Sequence, residues 1–364
     1  MSAASTTGEE RNEPRSSATG TARVVTLTAN PSLDRTLSLP GPLTEGAVVR
    51  LLDAVTEPGG KGVNVARAIA AAGGQVVPVL PAAEHDPIVT ALTERGLPPV
   101  TVPVHAPVRT NYTLTAPDGT TTKLNEPGVP LTAETRAALA QAMRLHASGS
   151  RWVVLSGSLP PGTPTDWYAE LVAYLRDTGA RIAVDTSEGP LQALLAAGPS
   201  GAPDLLKPNS EELASLAGVP EAEVLGDPAV ALAAVRVLHD KGVAEVLLTL
   251  GGDGAVLSTA DGGLWSARPP EITVRSTVGA GDSSLAGYVL ADLAGAPPAE
   301  RLRTAVAYGA ASASLPGSDV PTPAQVDGPA VRVIAGMPGS APPSSNAAPP
   351  ANPHTDPAAG RDVR

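Results

Sequence analysis

Short apolar runs alternate with helical patterns through most of this 364-residue chain. Runs such as Val246-Leu247-Leu248 are apolar at successive positions, which is typical of parallel strands buried on both faces. Their alternation with helices predicts an α/β fold with a doubly wound, mostly parallel sheet and helices on both faces. The predicted strands are Val24–Thr28, Val76–Leu80, Trp152–Leu155, Arg181–Asp185, Asp204–Leu206, Val246–Leu250 and Ala255–Ser258. The predicted helices begin near Gly62, Thr132, Thr165, Ser210, Pro228, Asp282 and Ala299.

Residues 34–56 and 101–125 interrupt this alternation with strand-like patterns and turn signals such as Pro40-Gly41 and Asp118-Gly119. We expect them to form a small β-sheet that covers a site as a lid, with a pair of surface hairpins as the alternative. Residues 1–22 and 331–364 are rich in small polar residues, Pro and Ala, and are expected to be disordered tails. Residues 23–330 then make up the folded unit.

Composition and charge exclude several classes of function. The chain has no Cys, which rules out disulfides, thiolate nucleophiles and zinc–thiolate sites, and its five His residues lack metal-ligand spacing. A net charge of -11 disfavours binding to nucleic acid or to an anionic membrane. No apolar run is long enough to span a bilayer, and the first residues lack the apolar core of a signal peptide. We therefore expect a cytoplasmic location.

The segment Val278-Gly279-Ala280-Gly281-Asp282 precedes a helical pattern. The first amides of a helix lack internal partners and carry partial positive charge, so such a glycine loop favours an anion in the position of a phosphoryl group in transfer. An aspartate beside it is placed to accept the proton of an attacking hydroxyl. This combination indicates an ATP-dependent kinase. A plain loop with Asp282 or Ser283 as the helix cap is the alternative.

Other clusters follow predicted strands, where ligands gather in α/β sheets. Asp34 offers a carboxylate for sugar hydroxyls. The run from Gly59 to Asn64, which includes Lys61, offers groups for sugar hydroxyls or phosphate. The run Lys207-Pro208-Asn209-Ser210-Glu211-Glu212 predicts either a helix capping box or a cavity-facing pair, Asn209 and Glu212, that organises Mg2+ through water. Thr249–Gly254 predicts a hairpin turn, and Ser156–Gly162 a loop with hydroxyl groups and free amides.

Together and in this order, the clusters resemble the ribokinase-like (PfkB) family of carbohydrate kinases over about residues 24–330. They are most similar to its phosphosugar branch, which contains 1-phosphofructokinase, tagatose-6-phosphate kinase and a minor 6-phosphofructokinase. The resemblance implies ATP as the phosphoryl donor, Mg2+, and a phosphorylated ketohexose as the acceptor, with fructose 1-phosphate favoured. It leaves open a homodimer formed through the lid.

The resemblance also implies a role for each matching residue. Asp282 is expected as the catalytic base, and the amides of Gly279, Ala280 and Gly281 as the anion hole. The residues expected to hold the phosphosugar are Asp34, Gly60, Lys61, Asn64, Arg109, Lys123 and Ser158. Those expected along the nucleotide are Lys207, Asn209, Thr249, Gly251 and Gly254, with Asn209 and Glu212 acting on Mg2+ through water.

Alternative functions remain open at this point. A kinase for a nucleoside or an unphosphorylated sugar would not need the charge of Arg109. A catalytically silent regulator that binds sugar phosphate would not need Asp282, Gly279 and Gly281. A dinucleotide-dependent dehydrogenase is disfavoured because no predicted strand is followed by Gly-x-Gly-x-x-Gly and a suitably spaced acidic residue.

Overall fold

The structure, a computed structural model, describes residues 23–337, so the predicted tail 1–22 and residues 338–364 lie outside it. The strands are β1 (Arg23–Leu27), β2 (Ser32–Ser38), β3 (Asp53–Gly59), β4 (Gln75–Ala82), β5 (Val100–Pro103), β6 (Arg109–Thr115), β7 (Thr121–Asn125), β8 (Ser150–Ser156), β9 (Arg181–Asp185), β10 (Leu205–Leu206), β11 (Glu245–Thr249), β12 (Ala255–Thr259), β13 (Leu264–Arg268) and β14 (Arg332–Ala335). The helices are α1 (Lys61–Ala71), α2 (Pro87–Glu94), α3 (Ala133–Ala147), α4 (Trp167–Leu175), α5 (Glu188–Ala196), α6 (Ser210–Ala217), α7 (Glu221–Gly226), α8 (Pro228–Asp240), α9 (Ala280–Leu293) and α10 (Pro298–Ala313). Within the described range, none of these helices is both long enough and apolar enough to cross a bilayer.

The large sheet has ten strands among the described residues, in the order β14-β13-β12-β11-β10-β9-β8-β1-β4-β5. The strands from β11 to β5 in that order pair in parallel, whereas β11 to β14 pair antiparallel. The predicted doubly wound, mostly parallel α/β sheet is therefore confirmed. The carboxyl ends of the parallel strands lie along one edge, where loops from distant parts of the chain meet.

Helices cover both faces of this sheet, and each face has its own apolar core. Along β1, Val25 and Leu27 pack into one core with residues of α3, α4, α5, α6 and α8. Val24 packs into the other core with α1, α9 and α10. Neighbouring residues of the same strand thus point to opposite cores, as the period of a strand requires. In a chain without Phe, large side chains are few, and Trp152 and Tyr288 meet edge to face in the second core.

A separate four-stranded sheet, in the order β3-β2-β6-β7, projects from the large one. Each of its strands overlaps one of the two segments that interrupt the helix–strand alternation. One part of the lid expectation is wrong: residues 101–103 belong to β5, which pairs with β4 at the edge of the large sheet. The small sheet joins the body through β3, because Glu57 accepts hydrogen bonds from Arg67 of α1 and from Ser318.

The predicted start of the C-terminal tail, residue 331, lies too early in the chain. Arg332–Ala335 forms β14, which pairs with β13 and closes the edge of the large sheet. Neither strand was predicted, because β14 is short and mostly exposed and β13 is interrupted by polar residues. Helix α2 was also missed, although Asp86 and Pro87 are a helix-start signal: Asp86 caps α2 by accepting from the Ile88 amide.

A buried ionic network lies at the amino ends of β8, β9 and β11. Asp292, only 3% exposed, accepts hydrogen bonds from the indole of Trp152 (2.8 Å) and from Arg181 (2.8 Å). Arg301 contacts the same carboxylate at 3.1 Å. Glu245 pairs with both arginines and accepts from the hydroxyl of Tyr288. The network ties the last turns of α9 to the start of three strands.

Candidate active site

Loops at the carboxyl ends of the parallel strands enclose a cleft of about 930 Å³ between the large sheet and the small one. The structure brings most of the sequence-predicted site residues to this cleft: Asp34, Gly60, Lys61, Asn64, Arg109, Ser158, Lys207, Asn209, Thr249, Gly251, Gly254, Gly279, Ala280, Gly281 and Asp282 all line it. They come from both ends of the chain, and the fold places them in one continuous space.

The glycine loop before α9 forms an open turn of backbone amides. Gly279 has a φ of 78°, a left-handed conformation that suits glycine, and α9 begins at the next residue. The Ala280 amide donates a long hydrogen bond of 3.4 Å to the Thr277 carbonyl. The amides of Gly279 and Gly281 have no hydrogen-bond partner among residues 23–337. The start of α9 therefore offers unsatisfied donors and a positive helix end to an anion in the cleft.

Asp282 lies in the first turn of α9 and is 6% exposed. Its Oδ2 accepts a hydrogen bond of 2.9 Å from the side-chain amide of Asn64 on α1. Burial, together with the negative charge of Asp185, raises the pKa of Asp282 to about 6, against the opposing effect of Lys61. A carboxylate with this pKa is ionised at neutral pH and is still basic enough to take a proton from a hydroxyl.

Asp185, at the end of β9, was missed from the sequence. It is fully buried, and its Oδ1 accepts a hydrogen bond of 2.9 Å from the Lys61 ammonium. The Lys207 ammonium lies 3.3 Å from its Oδ2. Burial opposes the charge of Asp185, but Lys207 and Lys61 outweigh it and lower its pKa. A single Asp after an apolar run gives no local signal of this role, since its partners are distant in sequence.

The small sheet contributes polar groups at the other end of the cleft. Asp34 on β2 accepts hydrogen bonds from Ser32 (2.8 Å) and from Asn111 (2.9 Å). The Oδ1 of Asn111 and the Nε of Arg109 are buried without a partner among the described residues. Burial lowers the pKa of Arg109, although Asp34 and Glu126 oppose this effect. These groups can bind the hydroxyls and the anionic group of a small polar ligand.

Gly60 and Asn30 hold the loops at the small-sheet end of the cleft in place. Gly60, with a φ of 100°, turns the chain from β3 into α1. Asn30 donates to the Pro127 carbonyl (3.2 Å) and to the hydroxyl of Ser158 (3.4 Å). Asn30 thus links the loop after β8 to the chain that leaves the small sheet, a role for which its position before Pro31 gave no signal.

The opposite end of the cleft is built by turns. The predicted hairpin between β11 and β12 is present, and Thr249, Gly251 and Gly254 line the cleft there. Asn209 and Glu212 form a capping box at the start of α6, in which Glu212 Oε2 accepts a hydrogen bond of 2.8 Å from the backbone amide of Asn209. Burial raises the pKa of Glu212. The capping box engages Asn209 Oδ1 and Glu212 Oε2, so this pair would act on Mg2+ through waters that the ion retains.

Two expected site residues do not line the cleft. Glu212 lies behind Asn209 and reaches the site only through that capping box. Lys123 is exposed on β7, where it pairs with Thr113. Directly paired residues share a face of a sheet, so Lys123 lies on the same face as Asp34 and Asn111, two residues further along the strands. Its charge lies near the cleft but outside it.

Comparison with known proteins agrees with this geometry. The sequence pattern described as "pfkB family carbohydrate kinase" matches residues 28–325. The chain is 38% identical over 289 residues to 1-phosphofructokinase from Xanthomonas campestris pv. campestris, covering 78% of this chain and 89% of the relative. It is 37% identical to 1-phosphofructokinase from Rhodobacter capsulatus over 307 residues, 83% of this chain and 94% of the relative. The crystal structure of phosphofructokinase-2 from Escherichia coli in complex with potassium superposes with a TM-score of 0.76 at 31% identity, covering 84% of this chain and 96% of that one. The chain therefore belongs to the pfkB family of carbohydrate kinases.

Proposed function

We propose that this protein transfers the γ-phosphoryl group of ATP to a hydroxyl of a phosphorylated ketohexose, with fructose 1-phosphate as the favoured acceptor and fructose 1,6-bisphosphate as the product. The observation that carries the proposal is the position of Asp282. Its buried carboxylate lies at the amino end of α9, bonded to Asn64, in a cleft that Asp34 and Arg109 also line.

The reaction follows from these positions. The acceptor hydroxyl oxygen attacks the γ-phosphorus, the bond between that phosphorus and the bridging β–γ oxygen breaks, and ADP leaves. Asp282 takes the hydroxyl proton, and the free amides of Gly279 and Gly281 stabilise the charge on the phosphoryl oxygens. Phosphoryl transfer depends mostly on such positioning and electrostatics. Closure of the small sheet over the cleft would exclude water and so limit ATP hydrolysis.

Asn209, which lines the cleft, and Glu212 behind it would hold Mg2+ through water, and the ion would screen the phosphate charges of ATP when bound. Thr249, Gly251 and Gly254 are proposed to lie along the nucleotide, with Lys207 near its phosphates. Use of ATP fits the expected cytoplasmic location.

The acceptor is proposed to lie between Asp34, Gly60, Asn64 and Ser158, with its phosphate on Arg109. Lys123 would approach that phosphate only if the small sheet moves inward. Two relatives named 1-phosphofructokinase are 38% and 37% identical to this chain, and the Escherichia coli relative named ATP-dependent 6-phosphofructokinase isozyme 2 is 33% identical, which favours fructose 1-phosphate over fructose 6-phosphate. Tagatose 6-phosphate is the third acceptor to be tested.

The test is a panel of acceptors with ATP and Mg2+, in which ADP release is measured and the product is identified by ³¹P NMR. We expect the highest kcat/KM with fructose 1-phosphate and none above background with the Asp282→Asn variant. Turnover of fructose or a nucleoside in preference to every phosphosugar would reject the proposal. Tight phosphosugar binding without ADP release would identify a silent regulator instead.

A homodimer formed through the small sheet is a further part of the proposal. Leu43, Val48, Leu52 and Leu124 are each at least half exposed on this sheet and its connecting loop. Apolar exposure of this kind marks interaction surfaces. Analytical ultracentrifugation of the wild type and of Leu124→Asp should show a dimer that weakens in the variant; a wild type that is monomeric at all concentrations would reject this part.

A further inference from the structure

Lys61, Asp185 and Lys207 form an ion group at the α9 end of the cleft that the proposed acceptor contacts do not explain. Asp185 is fully buried; its Oδ1 accepts a hydrogen bond from Lys61, and its Oδ2 forms an ion pair of 3.3 Å with Lys207. A buried carboxylate is costly unless it is paired, and two lysines so close together would repel without it. One buried carboxylate therefore holds both positive charges.

One of these charges lies against the glycine loop. A Cβ atom built at Gly281 would be 3.3 Å from the Lys207 Nζ, so this ammonium faces the backbone whose amide is unsatisfied. Lys207 is 4% exposed and has little freedom to move elsewhere. Its charge is thus fixed beside the point where a phosphoryl group would meet the start of α9.

The second charge, the Lys61 ammonium, lies on the same side of the cleft as Lys207 and away from the small sheet. The Lys61 Nζ donates its hydrogen bond of 2.9 Å to Asp185 Oδ1 at the end of β9, and Lys61 and Asp282 line the same cleft. Arg109 instead lies at the start of β6 in the small sheet, where its Nη1 donates a hydrogen bond of 3.1 Å to the Glu126 carbonyl. The cleft therefore has two separate cationic centres, with Arg109 at the acceptor end and the two lysines at the end where Asp282 lies.

We propose that Asp185 is a positioning residue that holds Lys61 and Lys207 beside the phosphoryl group in transit, and that Lys61 acts on this group and not on the phosphate that the acceptor already carries. The inference rests on the proposed kinase function but not on the identity of the acceptor. Charges fixed in advance stabilise the transition state without reorganisation, and a small misplacement is expensive in rate.

The first test separates kcat from KM in Asp185→Asn and Lys61→Gln, with whichever acceptor the wild type uses best. Each variant should lower kcat by about 100-fold or more while the KM for the acceptor changes by less than about threefold. The double variant should be no more than about threefold slower than the slower single variant, because Asp185 acts through Lys61. The matched control is Asp177→Asn with Arg144→Gln, which breaks an exposed ion pair of 2.7 Å and should leave kcat unchanged.

A second measurement needs no turnover. The charged groups that act on Asp282 are Lys61 from α1, Asp185 from β9 and Lys207 beyond β10. Replacing Asp185 by Asn removes the one negative charge among them and keeps both lysines. A ¹³C NMR titration of the ligand-free protein, with the Asp282 signal identified from Asp282→Asn, should show a lower pKa for Asp282 in Asp185→Asn than in the wild type.

Several results would overturn the inference. These are an unchanged kcat in Asp185→Asn, a loss in Lys61→Gln confined to the acceptor KM, multiplicative losses in the double variant, and an unshifted Asp282 titration. If Asp185→Asn does not fold, the split between kcat and KM in Lys61→Gln decides the matter alone, because Lys61 has a partly exposed side chain. An inactive wild type would reject the proposed function, and the titration would still test the charge group.

Discussion

The side-chain amide of Asn64 donates a hydrogen bond of 2.9 Å to the Oδ2 of Asp282, joining residues 218 positions apart in the chain. This bond favours the ionised form of a carboxylate that burial would otherwise neutralise. The Oδ1 of Asn64 is buried without a partner among the described residues. It can accept a hydrogen bond from a hydroxyl of the acceptor, and Asn64 would then contact base and acceptor together.

Replacing Asp282 by Asn should remove the base with little change in shape. We expect kcat to fall by roughly 10²–10⁴-fold, the usual contribution of general base catalysis. The melting temperature should stay the same or rise, since the variant no longer buries a charge. Asp240→Asn, at an exposed position near the end of α8, is the control and should retain full activity. A variant with near-normal turnover would contradict the assignment of Asp282.

The activity should depend on pH through the same carboxylate. Because the base must be ionised and its pKa is raised to about 6, log kcat/KM should rise with pH below that value and level off above it. Steady-state rates between pH 5 and 8.5 measure this limb. A limb centred near 4, the ordinary pKa of Asp, would mean that burial does not act on the base as described.

Asn64→Ala should move this acid limb to higher pH, since it removes a donor that stabilises the charged form. A hydrogen bond worth about 1 kcal/mol corresponds to a shift of about 0.7 pH unit. Asn111→Ala is the matched control, because its amide bonds Asp34 and not Asp282. The limb of that variant should stay in place even if its KM for the acceptor rises, and a limb unmoved in both variants would argue against the role of Asn64.

Arg109→Ala should weaken the binding of phosphorylated acceptors selectively. Loss of a charge-assisted hydrogen bond, about 1.5–3 kcal/mol, predicts a rise of roughly 10- to 100-fold in the acceptor KM. The KM for ATP should change little, because Arg109 lies at the acceptor end of the cleft. Initial rates with each substrate varied in turn measure both constants, and Arg144→Ala on the surface is the control. An equal effect on an unphosphorylated sugar would show that Arg109 does not bind the phosphate.

Asp292→Ala tests the ionic network at the far end of α9. It leaves Arg181 and Arg301 with Glu245 as their one remaining shared carboxylate and Trp152 without its acceptor. Breaking a buried pair in this way costs about 3–5 kcal/mol of unfolding free energy, which urea denaturation can measure. Asp177→Ala, which breaks an exposed pair, should cause no measurable change. A similarly small effect in both variants would mean that the network adds little to stability.

The sequence predicted the parts of this molecule whose signals are local. The strand–helix alternation, the hairpin at Thr249–Gly254 and the glycine loop before Asp282 each depend on neighbouring residues, and the structure places all three as expected. The helix starts were within about two residues, because caps such as Thr132 and Asn209 are also local. Family resemblance then supplied the roles that residue spacing leaves open.

What the sequence did not predict depends on contacts between distant segments. Asp185 gains its place in the site only from Lys61 and Lys207, and Asn111 only from the register of β6 with β2. Strand β14 is stabilised by pairing with β13 more than by its own sequence. Lys123 was assigned by position in a motif, but it is exposed two residues from the Asn111–Asn125 pair and does not line the cleft.

Helix α9 has the proposed catalytic base in its first turn and the hub of the ionic network in its last, and about 15 Å of helix separates Asp282 from Asp292. Substitutions that strengthen one end should leave the other untouched, since effects at such distances usually add. Substitutions around Arg181, Glu245 and Arg301 can therefore raise the free energy of unfolding without changing the acceptor specificity or kcat.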